Sequence, residues 1–433
     1  MDTYSSLSRD YEEWSEEGED EELDDLALVA AMAMVLGAEE ARLTRAERCK
    51  PSRRYLRHPQ LLPNPRSNTP WQILLASRDV CAFITTMGID CATFEYILSN
   101  GFAEHWNNNP IPRPDANAQG LPRLGGRSLD AEGALGLIYH FLTSAMPDTA
   151  LQQIFALVPA TVARYRSFAL SILLETLREL PESSIEWWGS EEECEGDSQL
   201  IQEWHPLLEG AIGSIDGLNI ALATSDDPEL ENATYNGWLH GHFTSCVLVF
   251  SPRGTVKSCV LNAPGSWHDA KIARPIYNKL RDKTPESFFL VTDMAFPRGT
   301  NSIAGRIQAP LKGGQRLPSN AADQAALLAC DRQLLSYRQT AEWGIHGLRS
   351  GFGRLRLPLD VNDPEGRGDL LETCICSMNL RTVRVGISEI RNVYMQYWKE
   401  AEDEDIWNDF ESVLFGDLRR RDHVSHFHRV VVD

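Results

Sequence analysis

The sequence predicts an α/β domain, a mixed sheet flanked by helices, that follows an all-helical region containing a helix-turn-helix. Two observations carry this. Across residues 70–185 the apolar side chains recur at helical spacing. Beyond residue 205 they gather in short continuous runs bounded by turn residues, the mark of buried strands. With 433 residues and 42% hydrophobic content, the chain has material for two or three domains. The boundaries read as a disordered acidic/basic segment over 1–60, a helical region over 61–200, an α/β domain over 205–390, and a C-terminal helix and tail over 391–433.

The formal net charge of −21 argues against a wholly basic nucleic-acid coat protein. It does not exclude DNA binding, because the charge is segregated. Residues 1–25 hold twelve acids against the single base Arg9, about half of the total, and are expected to be disordered. Arg42 to Arg57 then carries seven bases. Such a cluster is a nuclear-import signal, a phosphate-binding arm, or a solvated linker that balances the acidic tail. The nine scattered cysteines, an odd number, indicate a reducing compartment rather than a disulfide framework. The longest apolar run, Leu26–Leu36, is too short to span a bilayer, which takes roughly 20 residues. The expectation is a soluble intracellular chain.

The helical elements follow in order. Leu26–Leu43 is a short helix and Asp79–Ser99 a periodic one, with a loop over Asn107–Arg127. Ser128-Leu-Asp-Ala-Glu132 opens a further helix whose face is Leu135, Ile138, Tyr139 and Leu142. The helix-turn-helix falls within 147–180. Asp148–Phe155 is followed by the turn Ala156–Val158, and Pro159 stands at the first position of a longer helix. That helix offers Thr161, Arg164 and Tyr165 to base edges, although a purely structural helix pair has the same pattern. Ser183–Gln199 is acidic, reads as loop, and marks the boundary to the strands.

The strands bring the chemistry. Ala211–Leu222 is apolar with one acid, Asp216, in its middle. A lone carboxylate there is costly unless it is paired, hydrogen-bonded or on a metal. Phe243–Phe250 and Val256–Asn262 flank the turn Ser251–Gly254. Pro264-Gly-Ser-Trp-His-Asp269 leads into a helix, and Asp269 there is an N-cap or a ligand. Phe288–Thr292 ends in Asp293, a position suited to a site. A long helix from Ala321 to Leu348 carries Glu342. If the first and fourth strands are neighbours, Asp216 and Asp293 stand side by side. Several carboxylates at one point repel each other unless divalent cations neutralise them. Oxygen-only ligands select Mg²⁺ or Mn²⁺.

Four motifs occur in sequence: GSIDGLNI (213–220), GSWHDAKI (265–272), LVTDMAFP (290–297) and AEWGIHGLR (341–349). Together they resemble the DDE-superfamily endonuclease domain of PIF/Harbinger-type transposases, over about residues 205–385. The resemblance implies an RNase H-like fold and a two-metal, phosphodiester-cleaving activity that also joins strands. It implies catalytic acids at Asp216, Asp293 and Glu342. Asp269 is implied as a fourth acid of the Mg²⁺ or Mn²⁺ site, with His268 supporting it. The chain departs from the family pattern twice. No Lys or Arg occurs in Thr234–His240, and Ile345-His346 stands where an aromatic-Gly pair is usual.

Lys312, Arg316, Arg338 and Arg349, together with Arg164, are the expected DNA contacts. Trp238, Trp267 and Trp343 lie near the expected site and either stack on a base or pack in the core. The implied partners are DNA, a separate Myb-like DNA-binding protein and further copies of the chain; no membrane is expected, and the implied location is the nucleus. A second reading uses the same fold without catalysis, as a domesticated transposase that acts as a DNA- or protein-binding factor.

Overall fold

The computed structural model describes residues 32–40, 60–61, 64–113, 121–296, 303–312, 314 and 317–395. The chain divides into two units, Met1–Tyr55 and Leu56–Asp433. In the first, residues 32–40 form helix α1. The acidic stretch 1–25, the basic cluster Arg42–Arg57, Arg316 and the tail from residue 396 lie outside the described residues.

The second unit begins with helices α2 (Pro70–Ser77), α3 (Val80–Met87), α4 (Cys91–Ile97) and α5 (Ala103–Asn108). The periodic stretch 79–99 is two helices because Gly88 takes φ +72° between them, a left-handed end that glycine adopts without penalty. Helix α6 (Ala131–Thr143) buries eleven of its thirteen residues, so it forms the centre of the helical region rather than one of its faces. Its N-cap is Asp130, which accepts from the Gly133 amide, and not Ser128; the Ser128 amide instead donates to the Tyr165 hydroxyl. Trp71 lies flat against Gly136, where an added Cβ would sit 2.3 Å from the indole. Helices α7 (Asp148–Phe155) and α8 (Pro159–Glu179) meet at a bend of 93°.

The acidic stretch 183–199 is irregular only to Ser190; from Glu191 it is a helix, not a loop. In α9 (Glu191–Trp204), Ser190 caps the Glu193 amide and three glutamates fill the first turn, where negative charge suits the helix dipole. Asp197 is nearly buried and is held by Trp188 Nε1 and Arg253.

The sheet follows, with β1 (Ala211–Ala221), a short helix α10 (Pro228–Thr234), β2 (Tyr235–Asn236), β3 (Gly241–Phe250) and β4 (Val256–Pro264). Helices α11 (Asp269–Ile272) and α12 (Arg274–Lys283) lead to β5 (Phe289–Val291) and β6 (Ile307–Gln308). Strand β1 pairs antiparallel with β3 and parallel with β5; β3 pairs antiparallel with β4, and β5 parallel with β6. Helices α13 (Ala321–Gly351), α14 (Pro364–Arg384) and α15 (Glu389–Tyr394) complete the unit.

Helices and sheet share one core. A single buried cluster runs from Trp71, Phe155 and Leu173 through Leu218, Leu248 and Phe250 to Ile375 on α14. Val247, Val249 and Ile215 face a second cluster with Ile276 and Leu280 of α12. The alternation along β3 is the two-residue period of a strand buried on both faces. Asn379 of α14 closes the end of β4, accepting from the Val256 amide and donating to the Val256 and Ser184 carbonyls. Among the described residues no single helix is long and apolar enough to cross a membrane.

Candidate active site

Strand β1 places Asp216 and strand β5 places Asp293. The parallel register pairs Ser214 with Val291, so the residues two further along each chain, Asp216 and Asp293, stand level. The Thr292 hydroxyl donates to the Ile215 carbonyl at 3.0 Å and ties the two strands at that height. Asp216 accepts from the Gly217 amide at 2.7 Å, and Asp293 from the Ala295 amide at 2.8 Å. Burial pushes the Asp216 carboxyl up to about 7, against the pull of the Gly217 amide. The charges of Asp293, Asp269 and Glu342 add to the rise.

Asp269 is the first residue of α11. The helix cap is His268, whose Nδ1 accepts from the Ala270 amide, so the Asp269 carboxylate is free of capping duty. It lies over Gly217: a Cβ at residue 217 would come within 2.5 Å of Asp269 Oδ2. The glycine is what admits a second carboxylate beside Asp216. Burial, foremost, raises the Asp269 carboxyl; His268 opposes the rise and Asp293 reinforces it.

Glu342 reaches the site from the covering helix. Helix α13 is pinned to the sheet by the Thr340 hydroxyl, which donates to Ser214 Oγ at 2.7 Å. It approaches closely because Gly344 leaves no Cβ to strike Phe250, which would lie 2.5 Å from one. Glu342 is exposed and pairs with Arg338 at 2.8 Å, one turn earlier. The four acids thus share an electrostatic environment without closing on one point. Among the described residues no group of three or more His, Cys, Asp or Glu side chains is gathered tightly enough to hold a metal ion. The donor chemistry itself fits a hard divalent cation: four carboxylates, one of them driven toward protonation by burial and by the other three.

The expected cationic contacts are spread out. Arg338 holds Glu342, and Arg349 donates to the Asn219 carbonyl of β1. Arg164 donates to the Ala160 carbonyl of its own helix, and Lys312 is exposed on the segment after β6. Tyr165, read from the sequence as a base contact, is buried, its hydroxyl on the Ser128 amide and its ring edge-on to Trp106. Two exposed cations escaped the sequence reading. Lys271 and Arg274 lie immediately after Asp269, opposite the buried Ile272, Ile276 and Leu280. The signal was present, since apolar residues at 272, 276 and 280 leave 271, 274, 278 and 281 outward.

Fold and geometry define an α/β domain with one carboxylate on β1, another just beyond the end of its parallel neighbour β5, and a third on the helix across them. Residues 215–379 match the family model described as DDE superfamily endonuclease, a transposase- and nuclease-type domain. The match spans the sheet and continues into α14, and leaves the helices before residue 205 outside it. No curated protein and no solved structure matches the chain.

Proposed function

We propose that this chain is a metal-dependent DNA endonuclease of the transposase type, of PIF/Harbinger descent and RNase H-like fold. The observation that carries the reading is the level placement of Asp216 and Asp293 on adjacent parallel strands, with Asp216 raised to about 7. Asp216, Asp293 and Glu342 would hold two Mg²⁺ or Mn²⁺ ions, with Asp269 completing the set. Bound there, the ions supply an activated water or 3′-hydroxyl and stabilise the leaving oxygen of the phosphodiester.

The chain's own groups do the positioning. The Gly217 and Ala295 amides fix the Asp216 and Asp293 carboxylates. His268 caps α11 and so leaves Asp269 unengaged. Arg338 holds Glu342 by an exposed pair worth at most about 1 kcal/mol, weak enough to yield to an ion. Lys271 and Arg274, with Lys312 and Arg349, neutralise backbone phosphates. Thr161 and Arg164, at the start of α8, serve as helix-turn-helix contacts to a duplex. The protein works in the nucleus, its basic cluster Arg42–Arg57 serving as the import signal, with a Myb-like partner and in more than one copy.

The test is nicking of supercoiled plasmid in Mn²⁺ or Mg²⁺. Wild type is expected to nick; EDTA and Asp216→Asn are each expected to abolish it. An Asp216→Asn protein that nicks as well as wild type removes the proposal. A wild type that binds DNA but does not cut selects the non-catalytic binding factor, the reading favoured by the pairing of Glu342 with Arg338.

A further inference from the structure

Trp238 is the most exposed tryptophan among the described residues, at 90%. It sits on the tip of the β2–β3 hairpin, residues 237–240, and the tip is built to be rigid. Asn236 Oδ1 accepts from the amides of both Trp238 and Leu239, at 3.0 and 3.1 Å. The same side chain donates through Nδ2 to the Gly265 carbonyl at 3.0 Å. The Ser266 amide donates to the Ala233 carbonyl and ties the same loop to the end of α10, which leads into the hairpin. Gly265 permits it, since a Cβ there would lie 2.3 Å from the Phe243 carbonyl oxygen. The hairpin is therefore bolted to the loop that ends, four residues on, at Asp269. On that loop Trp267 is 41% exposed and carries the Lys271 ammonium 3.5 Å above its ring.

An indole held out in water by this hydrogen-bonded hairpin tip covers nothing in its own chain, and its free face is one on which a base can stack. Residues 235–240 carry no Asp, Glu, Lys or Arg. Their contact with a nucleic acid is through a flat face rather than through charge. A base paired within a duplex has both faces stacked; an unpaired base has a face to offer.

We infer that Trp238 is a stacking platform for an unpaired nucleobase of the DNA strand whose backbone crosses the acids, with Lys271 taking a phosphate between that base and the acids. The inference rests on the nuclease reading. It adds that the preferred substrate is single-stranded or distorted a few nucleotides from the scissile bond, the span from the level of Asp216 to the hairpin tip along β3.

The test measures binding without metal, so that it does not depend on catalysis. The probes are two fluorescein-labelled 30-mers of equal composition, a fully paired duplex and one with a central four-nucleotide unpaired loop, read by anisotropy. Wild type is expected to prefer the looped probe. Trp238→Ala should lose roughly 5- to 150-fold on that probe, the range for one stacked base, and less than about twofold on the duplex. Trp238→Phe, which keeps an aromatic face, should stay within about threefold of wild type. The residue is exposed, so circular dichroism should show both variants folded. Equal losses on both probes, or no loss on either, overturn the inference; the second outcome returns Trp238 to contact with a protein. Asp216→Asn separates the two readings. If it binds the looped probe as wild type does but fails to cut, the nuclease reading stands whatever Trp238→Ala shows. A wild type that binds neither probe overturns both.

Discussion

The carboxylate of Asp269 occupies the space that a side chain at Gly217 would fill, within 2.5 Å of where that Cβ would be. Gly217 follows Asp216 directly on β1, so the glycine leaves room for the Asp269 carboxylate against the strand next to Asp216. Gly217→Ala is expected to push Asp269 aside while leaving β1 in register, because its neighbours Ile215 and Leu218 keep their burial. Mn²⁺ affinity by titration calorimetry should fall at least tenfold. The overpacking cost should be about 1–3 kcal/mol in chemical unfolding. Unchanged metal affinity would mean that Asp269 is no part of the site.

The raised Asp216 carboxyl makes stability depend on pH. Its native value is about 7 against an ordinary 3.8, so between about pH 4 and pH 7 the native state binds more protons than the unfolded one. Stability then falls as pH rises through that window, and the penalty is complete above pH 7. The gap corresponds to at most roughly 4 kcal/mol, at about 1.4 kcal/mol per pKa unit. Urea unfolding from pH 4.5 to 7.5 without metal should show the decline. Asp216→Asn should flatten it and be the more stable protein at pH 7.5. Mn²⁺ should restore the wild type at high pH and do little for the variant.

A buried hydrogen bond ties helix α13 to β1 two residues before Glu342. Thr340→Val removes the hydroxyl that donates to Ser214 and leaves Ser214 without that bond. The expected loss is about 1–3 kcal/mol of stability. Nicking should fall further than stability alone explains, because Glu342 lies two residues along the same helix. A variant with lowered stability and full activity at a permissive temperature would separate the helix anchor from the chemistry.

Lys271 and Arg274 are exposed, two and five residues beyond Asp269. Lys271→Glu with Arg274→Glu should weaken binding to paired and unpaired DNA alike. The slope of log affinity against log salt should drop by about two if each cation neutralises one phosphate. An unchanged slope would remove both residues from the DNA path.

Much of this arrangement is legible in one dimension. The strand runs, the lone acids Asp216 and Asp293, and the long helix bearing Glu342 all follow from apolar periodicity and the cost of burying charge. The misreadings are local. The stretch 183–199 looks like loop by its charge, yet Ser190 followed three residues later by Glu193 is a capping signal, and α9 forms behind it. Tyr165 stands where a recognition helix would show a contact, but its ring completes the packing around Trp106. Exposure of one helix position depends on neighbours that are far away in sequence.

Sequence alone determined which residues carry charge in apolar surroundings and the order in which they come. Period-two and period-3.6 patterns are properties of the chain itself, and a buried acid is conspicuous wherever it falls. Tertiary structure decided the rest: that β1 and β5 are parallel neighbours, that Asp293 leaves β5 next to Asp216, that Gly217 makes room for Asp269, and that α13 docks across the sheet with Glu342 on its exposed side. Strand pairing and helix docking bring together residues far apart in the chain: Ser214 and Thr340 are 126 positions apart, and Asn379 and Ser184 are 195. Those contacts are chosen by the shared fit of many side chains in one core, which no local pattern encodes.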